Sequence, residues 1–247
     1  MYKILEKTQF SEKVFKFRIE APEMAKHAHA GQFLMVRANE TGERVPFTFA
    51  DWNPEEGWVE FIFMVIGKTT EMLSTYEAGD AIQDVTGPLG QPTEMGEGNW
   101  AVIGGGVGLA IAFPVARQLK ATGHEVHAIM GARTKDLLLL EDQFRSVLDD
   151  EHIHITTDDG SYGEKGVVTA PLERLLQEKK VDHVFCVGPV PMMKFSALTA
   201  EKYDTPIIAS LNPIMVDGTG MCGCCRVEVG GETKFACVDG PDFYATK

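Results

Sequence analysis

The sequence predicts an all-β barrel over residues 1–97, an α/β domain with a parallel sheet over residues 98–210, and a cysteine-rich module over residues 211–247. Three observations lead to this division. Short apolar runs fill the first region, strand and helix patterns alternate in the second, and four of the five cysteines are crowded into the last. A chain of 247 residues can bury one large core or two modest ones.

The first region is a series of short strand patterns. The segments "VFKFRIEAP", "GQFLMVRAN" and "WVEFIFMVI" alternate or run apolar, and Gly, Pro, Asn and acidic residues separate them. The segment "GDAIQDVTGPLG" indicates a further strand that enters a tight turn. Several short strands at this spacing favour a small antiparallel barrel.

The second region begins after "GEGNW" (96–100), where the periodicity changes. A strand, a glycine turn and a helix are predicted for "AVIGGGVGLAIAFPVARQLKATG". Then follow "EVHAIMGAR" as a strand, "LLLLEDQFRSVL" as a helix, "IHITTDDG" as a strand, "APLERLLQEKK" as a helix, and "DHVFCVGPVPMMKFSALTAEKY" as a strand, turn and helix. This alternation implies a parallel sheet covered on both faces. The last region has little room for a core, so we expect a metal or a neighbouring segment to hold it.

Charge and hydropathy exclude several classes of partner. The net charge of −13 argues against nucleic acids and anionic membranes, which both need basic patches. No apolar run is long enough to span a membrane, and the first residues lack the apolar stretch of a secretion signal. We therefore expect a cytoplasmic protein whose cysteines are metal ligands or free thiols rather than disulfides.

The glycine turn "GGGVG" (104–108) lies between a predicted strand and a predicted helix. Glycines let a backbone approach a pyrophosphate closely, and the helix that follows offers free N–H groups. The spacing is not GxGxxG, and the next strand ends in "GAR" rather than in an acidic residue. A tight packing turn is therefore the alternative interpretation.

Two later loops favour a nucleotide site. The loops "TTDDGSYGEKG" (156–166) and "CVGPVPMMK" (186–194) follow predicted strands, which is where open α/β sheets bind ligands. Asp158 and Asp159 would repel the additional phosphate of NADP and so favour NAD. Arg133 and Lys135 also stand at a strand end and could bind such a phosphate instead.

The barrel region contains two stretches suited to a pyrophosphate. "RVPFTFAD" (44–51) brings Arg44 and Thr48 together on a predicted strand, and "GKTTEML" (67–73) combines a glycine, hydroxyl groups and a helix start. An arginine beside a hydroxyl-rich turn can clamp a pyrophosphate. Each stretch alone is also compatible with an ordinary surface.

The cysteines carry the most specific pattern. Plant-type two-iron clusters use C-x4-C-x2-C and a distant fourth cysteine. This spacing is reproduced, with aspartate in the first place, by Asp217, Cys222, Cys225 and Cys237. Gly218, Gly220 and Gly223 lie between these ligands, where a loop around a cluster needs unusual dihedrals, and Cys224 is then a bystander.

Two other interpretations of the cysteines stay open. Cys222, Cys224, Cys225 and Cys237 could form a four-sulfur zinc site, although adjacent cysteines make an awkward chelate. If Asp217 is not a ligand, Cys222 or Cys225 could instead pair with Cys224. A carboxylate ligand is harder than a thiolate and should change the potential of a cluster.

Taken in order, "RVPFTF", "GKTT", "GGGVG", "CVGP" and the C-terminal cysteine loop ending in "CVDGPDF" resemble the ferredoxin–NADP reductase superfamily. The closer resemblance is to the branch of the dihydroorotate dehydrogenase electron-transfer subunits, in which a cysteine stands where this chain has Asp217. With that aspartate, "GARTKDLLLLED" and "TDDGSYGEKG", the chain is similar to the small subunits of NADH-dependent ferredoxin:NADP oxidoreductases, also described as sulfide dehydrogenase subunits. The resemblance implies a flavin-binding barrel, a Rossmann-like nucleotide domain and a [2Fe–2S] module.

The resemblance also implies site residues. Those expected to bind FAD are Arg44, Pro46, Phe47, Thr48, Gly67, Thr69 and Thr70. Those expected near NAD(H) are Gly104, Gly105, Gly106, Gly108, Asp158, Gly188 and Pro189, with Cys186 near the nicotinamide. The stretch "GKTT" departs from the commoner Gly-x-Gly-Thr form, so the resemblance gives no role to Lys68.

The function that the resemblance implies is oxidation of NADH at FAD, with single electrons passed to a [2Fe–2S] cluster and to a partner subunit. The expected complex is an electron-bifurcating heterodimer. Its larger flavin and iron–sulfur subunit would resemble the glutamate synthase small chain, and ferredoxin would be reached through the complex. One alternative is the electron-transfer subunit of an NAD-dependent dihydroorotate dehydrogenase. Another, of a different class, is a zinc-stabilised nucleotide-binding regulator.

Overall fold

The computed structural model describes residues 1–245, and these divide into two compact units. The first unit combines residues 1–93 with residues 212–241, and the second combines residues 94–211 with the segment from residue 242 onward. Residues 246 and 247, the end of the predicted cysteine module, lie outside the described residues. The predicted fold class is confirmed: one unit is an antiparallel sheet, the other a mainly parallel sheet with helices, and the cysteine module follows them in the chain.

The first unit is built on seven antiparallel strands. They are β1 (Tyr2–Ser11), β2 (Val14–Glu20), β3 (Phe33–Arg37), β4 (Arg44–Asn53), β5 (Trp58–Met64), β6 (Ala81–Ile82) and β7 (Asp84–Leu89), with the short helices α1 (Pro22–His27) and α2 (Lys68–Ser74). The strand order is β6-β1-β2-β5-β4-β3-β7. The sheet is a half-barrel around an aromatic core.

Alternating side chains explain that core. Phe17, Phe61 and Phe63 point to the same side of neighbouring strands and are almost fully buried. The rings of Phe47 and Phe61 stack at 5.0 Å with an interplanar angle of 6°. Because successive residues of a strand face opposite sides, the residues beside Phe47 are left to the outer face of the sheet.

The cysteine segment packs against this half-barrel. It contains a hairpin of β14 (Arg226–Val229) and β15 (Glu232–Phe235). The backbone amide of Gln91 donates to the carbonyl of Gly240 at 2.7 Å, and the Gln91 side-chain amide donates to the carbonyl of Val238 at 2.9 Å. The expected support by a neighbouring segment is therefore present.

The second unit is a doubly wound sheet. Its strands are β8 (Trp100–Gly105), β9 (Val126–Ala132), β10 (Ile153–Thr157), β11 (Glu164–Lys165), β12 (His183–Val187), β13 (Ile207–Ser210) and β16 (Asp242–Tyr244). Its helices are α3 (Leu109–Ala121), α4 (Glu141–Val147), α5 (Thr169–Gln177) and α6 (Val190–Glu201). The order β11-β10-β9-β8-β12-β13-β16 reverses direction between β8 and β12, which is the switch point where such sheets bind ligands.

Two features of this unit differ from the sequence expectation. The helix predicted over "LLLLEDQFRSVL" begins only at Glu141, because Leu140 has a left-handed backbone with φ 61°. Leu139 and Leu140 are buried before the helix starts, and Glu141 and Asp142 then suit its positive N-terminal end. In addition, β16 pairs antiparallel with β13, so the chain's last described strand completes the second sheet. No helix within residues 1–245 is long and apolar enough to cross a membrane.

Candidate functional site

The outer face of β3 and β4 carries the predicted flavin residues. Strand pairing sets Met35 opposite Pro46 and Phe33 opposite Thr48. Leu34 and Val36 of β3 point to the aromatic core, so the residues between them face outward. Pro46 and Thr48 therefore form one surface with the outward-facing side chains of β3.

Arg44 and Phe47 lie on opposite sides of β4. Arg44 is exposed on the outer face, and its guanidinium contacts the Asp84 carboxylate at 3.2 Å. Phe47 packs in the core, so its side chain shapes the strand rather than lining the outer surface. The structure thus brings Arg44, Pro46 and Thr48 together and separates Phe47 from them.

The "GKTT" stretch forms the start of α2. The helix begins at Lys68, so Thr69 and Thr70 stand in its first turn and both are buried. The Thr70 hydroxyl accepts hydrogen bonds from the backbone amides of Ile66 and Gly67, each at 3.0 Å, and donates to the Gly67 carbonyl at 2.9 Å. This hydroxyl stabilises the helix start. Around Gly67 there is open space, since an added Cβ would meet nothing within 4 Å.

The cysteine loop is seated on the outer face of β3. A Cβ added to Gly218 would lie 2.8 Å from Met35 Cγ and 2.9 Å from Leu89 Cδ1, so the loop backbone touches both side chains directly. Met35 is in turn the strand partner of Pro46. The loop that begins at Asp217 therefore lies on β3, the strand that is paired with β4 and its predicted flavin residues.

Backbone amides fix the carboxylate of Asp217. Its Oδ1 accepts a hydrogen bond from the Thr219 amide at 2.9 Å, and its Oδ2 accepts one from the Cys222 amide at 2.8 Å. The hydrogen bond from Thr219 is the largest of the effects that lower the pKa of Asp217 below its ordinary value. The carboxylate is thus held ionised, as a metal ligand must be.

The sulfur atoms of the loop meet in two pairs. Cys225 and Cys237 are buried with their Sγ atoms 3.2 Å apart. Cys222 and Cys224 are exposed, and a hydrogen bond between them raises the pKa of Cys224. Burial, and then the neighbouring Cys225, raise the pKa of Cys237 to about 12.

These residues fit an iron–sulfur group. The expectation of unusual backbone dihedrals is confirmed, because Gly218, Gly220 and Gly223 all have positive φ, at 77°, 84° and 69°. A buried pair of cysteine sulfurs in contact and an ionised carboxylate supply soft and hard donors within one loop. Iron bound there would displace the proton of the Cys237 thiol, because a metal-bound cysteine is a thiolate.

In the second unit, the glycine turn and the "CVGP" loop meet at the switch point. Strand pairing sets Val187 opposite Gly104. A Cβ on Gly108 would lie 2.6 Å from the carbonyl oxygen of Val187, and one on Gly105 would lie 3.2 Å from Pro189 Cδ. The Cα of Gly105 is likewise 3.2 Å from the Cβ position of Gly188. These glycines therefore permit the backbones of the glycine turn and the "CVGP" loop to approach each other closely.

Gly106 differs from its neighbours in the turn. Its φ is +56°, and an added Cβ would meet nothing within 4 Å. Gly104, by contrast, packs closely on α3, where a Cβ would lie 2.7 Å from Leu109 Cδ2. The packing interpretation thus applies to most of the turn, whereas Gly106 faces open space at the start of the turn that leads into α3.

Cys186 is not at this open edge. Its side chain is fully buried in the apolar cluster of the second unit. Burial raises the pKa of its thiol to about 12. The residue can support the loop from below, but the described structure gives its sulfur no exposed surface.

The two aspartates that follow β10 differ in their contacts. Asp159 accepts hydrogen bonds from the Ser161 amide at 2.9 Å and from the Ser161 hydroxyl at 2.7 Å, so it organises the loop. Asp158 is exposed at the same carboxyl edge of the sheet. Arg133 is exposed nearby along the neighbouring strand end, while the ammonium of Lys135 lies 4.9 Å from the Tyr162 ring centre.

Comparison with known proteins decides the family. Residues 1–93 match an oxidoreductase FAD-binding domain, residues 102–197 an oxidoreductase NAD-binding domain, and residues 212–247 the iron–sulfur cluster binding domain of dihydroorotate dehydrogenase B. The dihydroorotate dehydrogenase B electron-transfer subunit homolog of Thermotoga maritima is 50% identical over 97% of this chain and 84% of its own length. The chain belongs to the dihydroorotate dehydrogenase B electron-transfer subunit family.

Two further proteins are similar to this chain over almost its whole length. The electron-transfer subunit of dihydroorotate dehydrogenase B from Streptococcus mutans is 31% identical over 97% of this chain and 94% of its own length. A solved structure of the NADH-dependent reduced ferredoxin–NADP oxidoreductase, described for flavin-based electron bifurcation, has a TM-score of 0.92 and 49% identity. It covers 99% of this chain and 88% of that one.

The matches confirm the expected resemblance and the expected cofactor classes. The chain is an oxidoreductase electron-transfer subunit with FAD-binding, NAD-binding and iron–sulfur cluster-binding domains. The iron–sulfur domain begins at residue 212 and includes Asp217 and the four clustered cysteines.

One group of ligand-type side chains was missed by the sequence reasoning. Glu125, His127 and His152 come together at the opposite edge of the second sheet, where β9 and β10 begin. Its sequence signal is a Glu-x-His at one strand start and a His-x-His at the next. Residues two apart on a strand share a face, so these spacings could have indicated a cluster.

Proposed function

We propose that this chain oxidises NADH at a bound FAD and delivers the electrons one at a time to a two-iron cluster and to a larger partner subunit. When bound, the flavin supplies the step between a two-electron hydride donor and one-electron acceptors. The chain's own residues hold the groups in place, and no side chain is assigned as a general acid or base.

The observation that carries this proposal is the seat of the cysteine loop on the outer face of β3. Gly218 touches Met35, Met35 pairs with Pro46, and Arg44, Pro46 and Thr48 share that face of β4. A short separation between the cluster ligands and the flavin strand supports direct electron transfer within the first unit. Positioning, rather than covalent chemistry, is then the contribution of the protein.

Ligand pairs follow from the contacts of the loop. A two-iron cluster with four protein ligands takes two at each iron. Cys225 and Cys237, whose sulfurs are in contact, would hold one iron. Asp217 and Cys222, joined by the hydrogen bond from the Cys222 amide, would hold the other. Cys224 then stays outside the ligand set.

For FAD, Arg44 and Thr48 would bind on the outer face, while Gly67 offers open backbone beside the start of α2. Thr69 and Thr70 would act by shaping that start, since the Thr70 hydroxyl is engaged by the backbone. For NAD(H), Gly106 offers open backbone before α3, Gly188 and Pro189 border it, and Asp158 would meet the adenosine ribose.

The test of this function is turnover and flavin content in matched variants. The anaerobically prepared chain should oxidise NADH with an artificial one-electron acceptor. Thr48→Val should lower FAD content and this activity together, whereas Thr8→Val on β1 should change neither. Normal flavin binding in the Thr48 variant would remove β4 from the flavin site, and a colourless wild-type chain would favour the zinc-stabilised regulator.

For the partner, we propose the bifurcating complex: a heterodimer whose larger flavin and iron–sulfur subunit resembles the glutamate synthase small chain and through which ferredoxin is reached. Support comes from the solved structure at 49% identity and from the aspartate in the first ligand position. Purification from the native source, with flavin, metal and subunit analysis, should recover that larger subunit.

A second candidate is the electron-transfer subunit of an NAD-dependent dihydroorotate dehydrogenase. The names of the relatives favour it. The same purification distinguishes the two, because this candidate requires a co-purifying subunit that oxidises dihydroorotate. Activity of the complex with dihydroorotate, and none with ferredoxin, would replace the bifurcating proposal.

A further inference from the structure

A cluster of imidazoles and one carboxylate lies at the amino-terminal edge of the parallel sheet. Glu125 directly precedes β9, His127 is the second residue of β9, and His152 ends the turn that leads into β10. Nucleotides bind at the opposite, carboxyl edge of such sheets. The cluster is therefore separate from the proposed nucleotide site of the same unit.

The geometry points to a divalent-cation site, and we propose that Glu125, His127 and His152 bind one Zn²⁺ ion. The three ligand atoms all lie within 4.8 Å of one another. Glu125 Oε1 is 3.4 Å from His127 Nε2 and 3.7 Å from His152 Nε2. With zinc–ligand bonds of about 2.0–2.1 Å, the edges of a tetrahedron are about 3.3–3.4 Å, so the two distances from Glu125 are already close to those around a bound ion.

The strongest sign of a ligand is the ring of His127. The residue is 4% exposed, and within residues 1–245 its Nε2 has no hydrogen-bond partner despite its distance of 3.4 Å from Glu125. A buried polar nitrogen without a partner is costly. A cation between this nitrogen and the carboxylate would satisfy both.

His154 supports the ring of His127 from the other side. Its Nε2 lies 3.3 Å from His127 Nδ1. When Nδ1 of His127 donates this hydrogen bond, Nε2 carries the lone pair that a metal requires. Metal-binding histidines usually have such a partner on their second nitrogen, which fixes tautomer and ring orientation. Burial lowers the pKa of both His127 and His154, which keeps the rings neutral.

The neighbouring lysine and arginine side chains are paired with other carboxylates. Lys180 and Arg174 act electrostatically on these histidines, but each has its own carboxylate partner. The Lys180 ammonium lies 2.8 Å from Glu178, and Arg174 lies 2.6 Å from Glu164. Glu125 is half exposed, which gives the ion a path and leaves a fourth position for water. Two imidazoles and a carboxylate suit zinc among the borderline divalent ions.

Zinc uptake by the holoprotein tests the proposal. The protein with its flavin and cluster in place is titrated with Zn²⁺ against a chromophoric chelator, and iron is measured before and after. One zinc per chain should bind without loss of iron. His152→Ala and Glu125→Gln each remove a direct ligand and should weaken zinc binding by more than the roughly 10- to 100-fold that loss of an outer partner of a ligand costs. His27→Ala, an exposed histidine on α1, is the matched control and should bind as the wild type does.

The identity of the ligands is checked by X-ray absorption at the zinc edge. Nitrogen and oxygen neighbours with imidazole scattering and no sulfur are expected. Sulfur scattering, or release of iron on zinc uptake, would assign the zinc to the cysteine loop and overturn the proposal. Zinc affinity equal to that of the wild type in the His152 and Glu125 variants would overturn it too. Absence of stoichiometric binding by the wild type would overturn it as well.

Discussion

Gly218→Ala is the substitution that most directly tests the seating of the cysteine loop on β3. The new methyl group would lie 2.8 Å from Met35 Cγ and 2.9 Å from Leu89 Cδ1, and the residue would keep a φ of +77°. A left-handed backbone costs a residue with a side chain about 1–2 kcal/mol. Overpacking adds about 1–3 kcal/mol.

The matched control is Gly231→Ala in the hairpin of the same segment. Gly231 has a φ of +80°, but an added Cβ would meet nothing within 4 Å. The control therefore carries the backbone penalty without the contact. The difference between the two variants isolates the packing of the loop on Met35 and Leu89, which is about 1–3 kcal/mol.

The assay is the rate at which iron is lost to a chelator from the anaerobically prepared protein. When the loop opens and closes faster than the chelator reacts, this rate follows the population of the open loop. Since 1.36 kcal/mol corresponds to a factor of ten, Gly218→Ala should lose iron about 5- to 150-fold faster than Gly231→Ala. Equal rates in the two variants would refute the contact between the cluster loop and the outer face of β3.

Three further predictions concern the cluster, the nucleotide and the buried thiol. Asp217→Ala should lose most of its iron, and Asp217→Cys should retain a cluster with a changed visible spectrum. Cys224→Ala should match the wild type in iron content. Loss of iron in Cys224→Ala and full iron content in Asp217→Ala would contradict the ligand set. Asp158→Arg should shift the ratio of kcat/KM for NADPH over NADH upward by about fivefold, the worth of one exposed charge contact, and an unchanged ratio would remove Asp158 from the ribose site. Cys186 should resist alkylation by iodoacetamide in the native protein even at pH 10, because burial raises the pKa of its thiol to about 12; the unfolded chain should react fully, and rapid native labelling measured by mass spectrometry would contradict this burial. Because the thiol ionises first in the unfolded chain, its contribution to stability is expected to fall as the pH rises from about 9 towards 12.

Local patterns in the sequence predicted most of the secondary structure. The strand, glycine turn and helix around residues 100–121 follow from a buried apolar run, a turn of glycines and a helical period, and all three are present. The start of α4 was beyond this reasoning, because the left-handed backbone of Leu140 depends on burial of its leucine side chain against the rest of the unit. Local propensity does not report such tertiary effects.

For the candidate site, the sequence offered candidate residues but not the contacts between them. Spacing indicated Asp217 and the cysteines as candidate ligands, but only the fold reveals that Gly218 packs on Met35, which lies 183 residues earlier in the chain. The sequence also could not separate glycines that permit close packing, such as Gly108, from Gly106, which faces open space. The Glu125 and His127 pattern shows the converse: the signal was present, but its meaning required the pairing of β9 with β10.

The central claim is that iron and flavin are held by one chain and that NADH reduces both. Anaerobic addition of NADH to the purified protein, followed in the visible spectrum with iron and FAD quantified on the same sample, tests it most directly. Two irons and one FAD per chain are expected, and the bands of both should bleach. A preparation with flavin and iron in which NADH bleaches the flavin alone would contradict electron transfer to the cysteine loop.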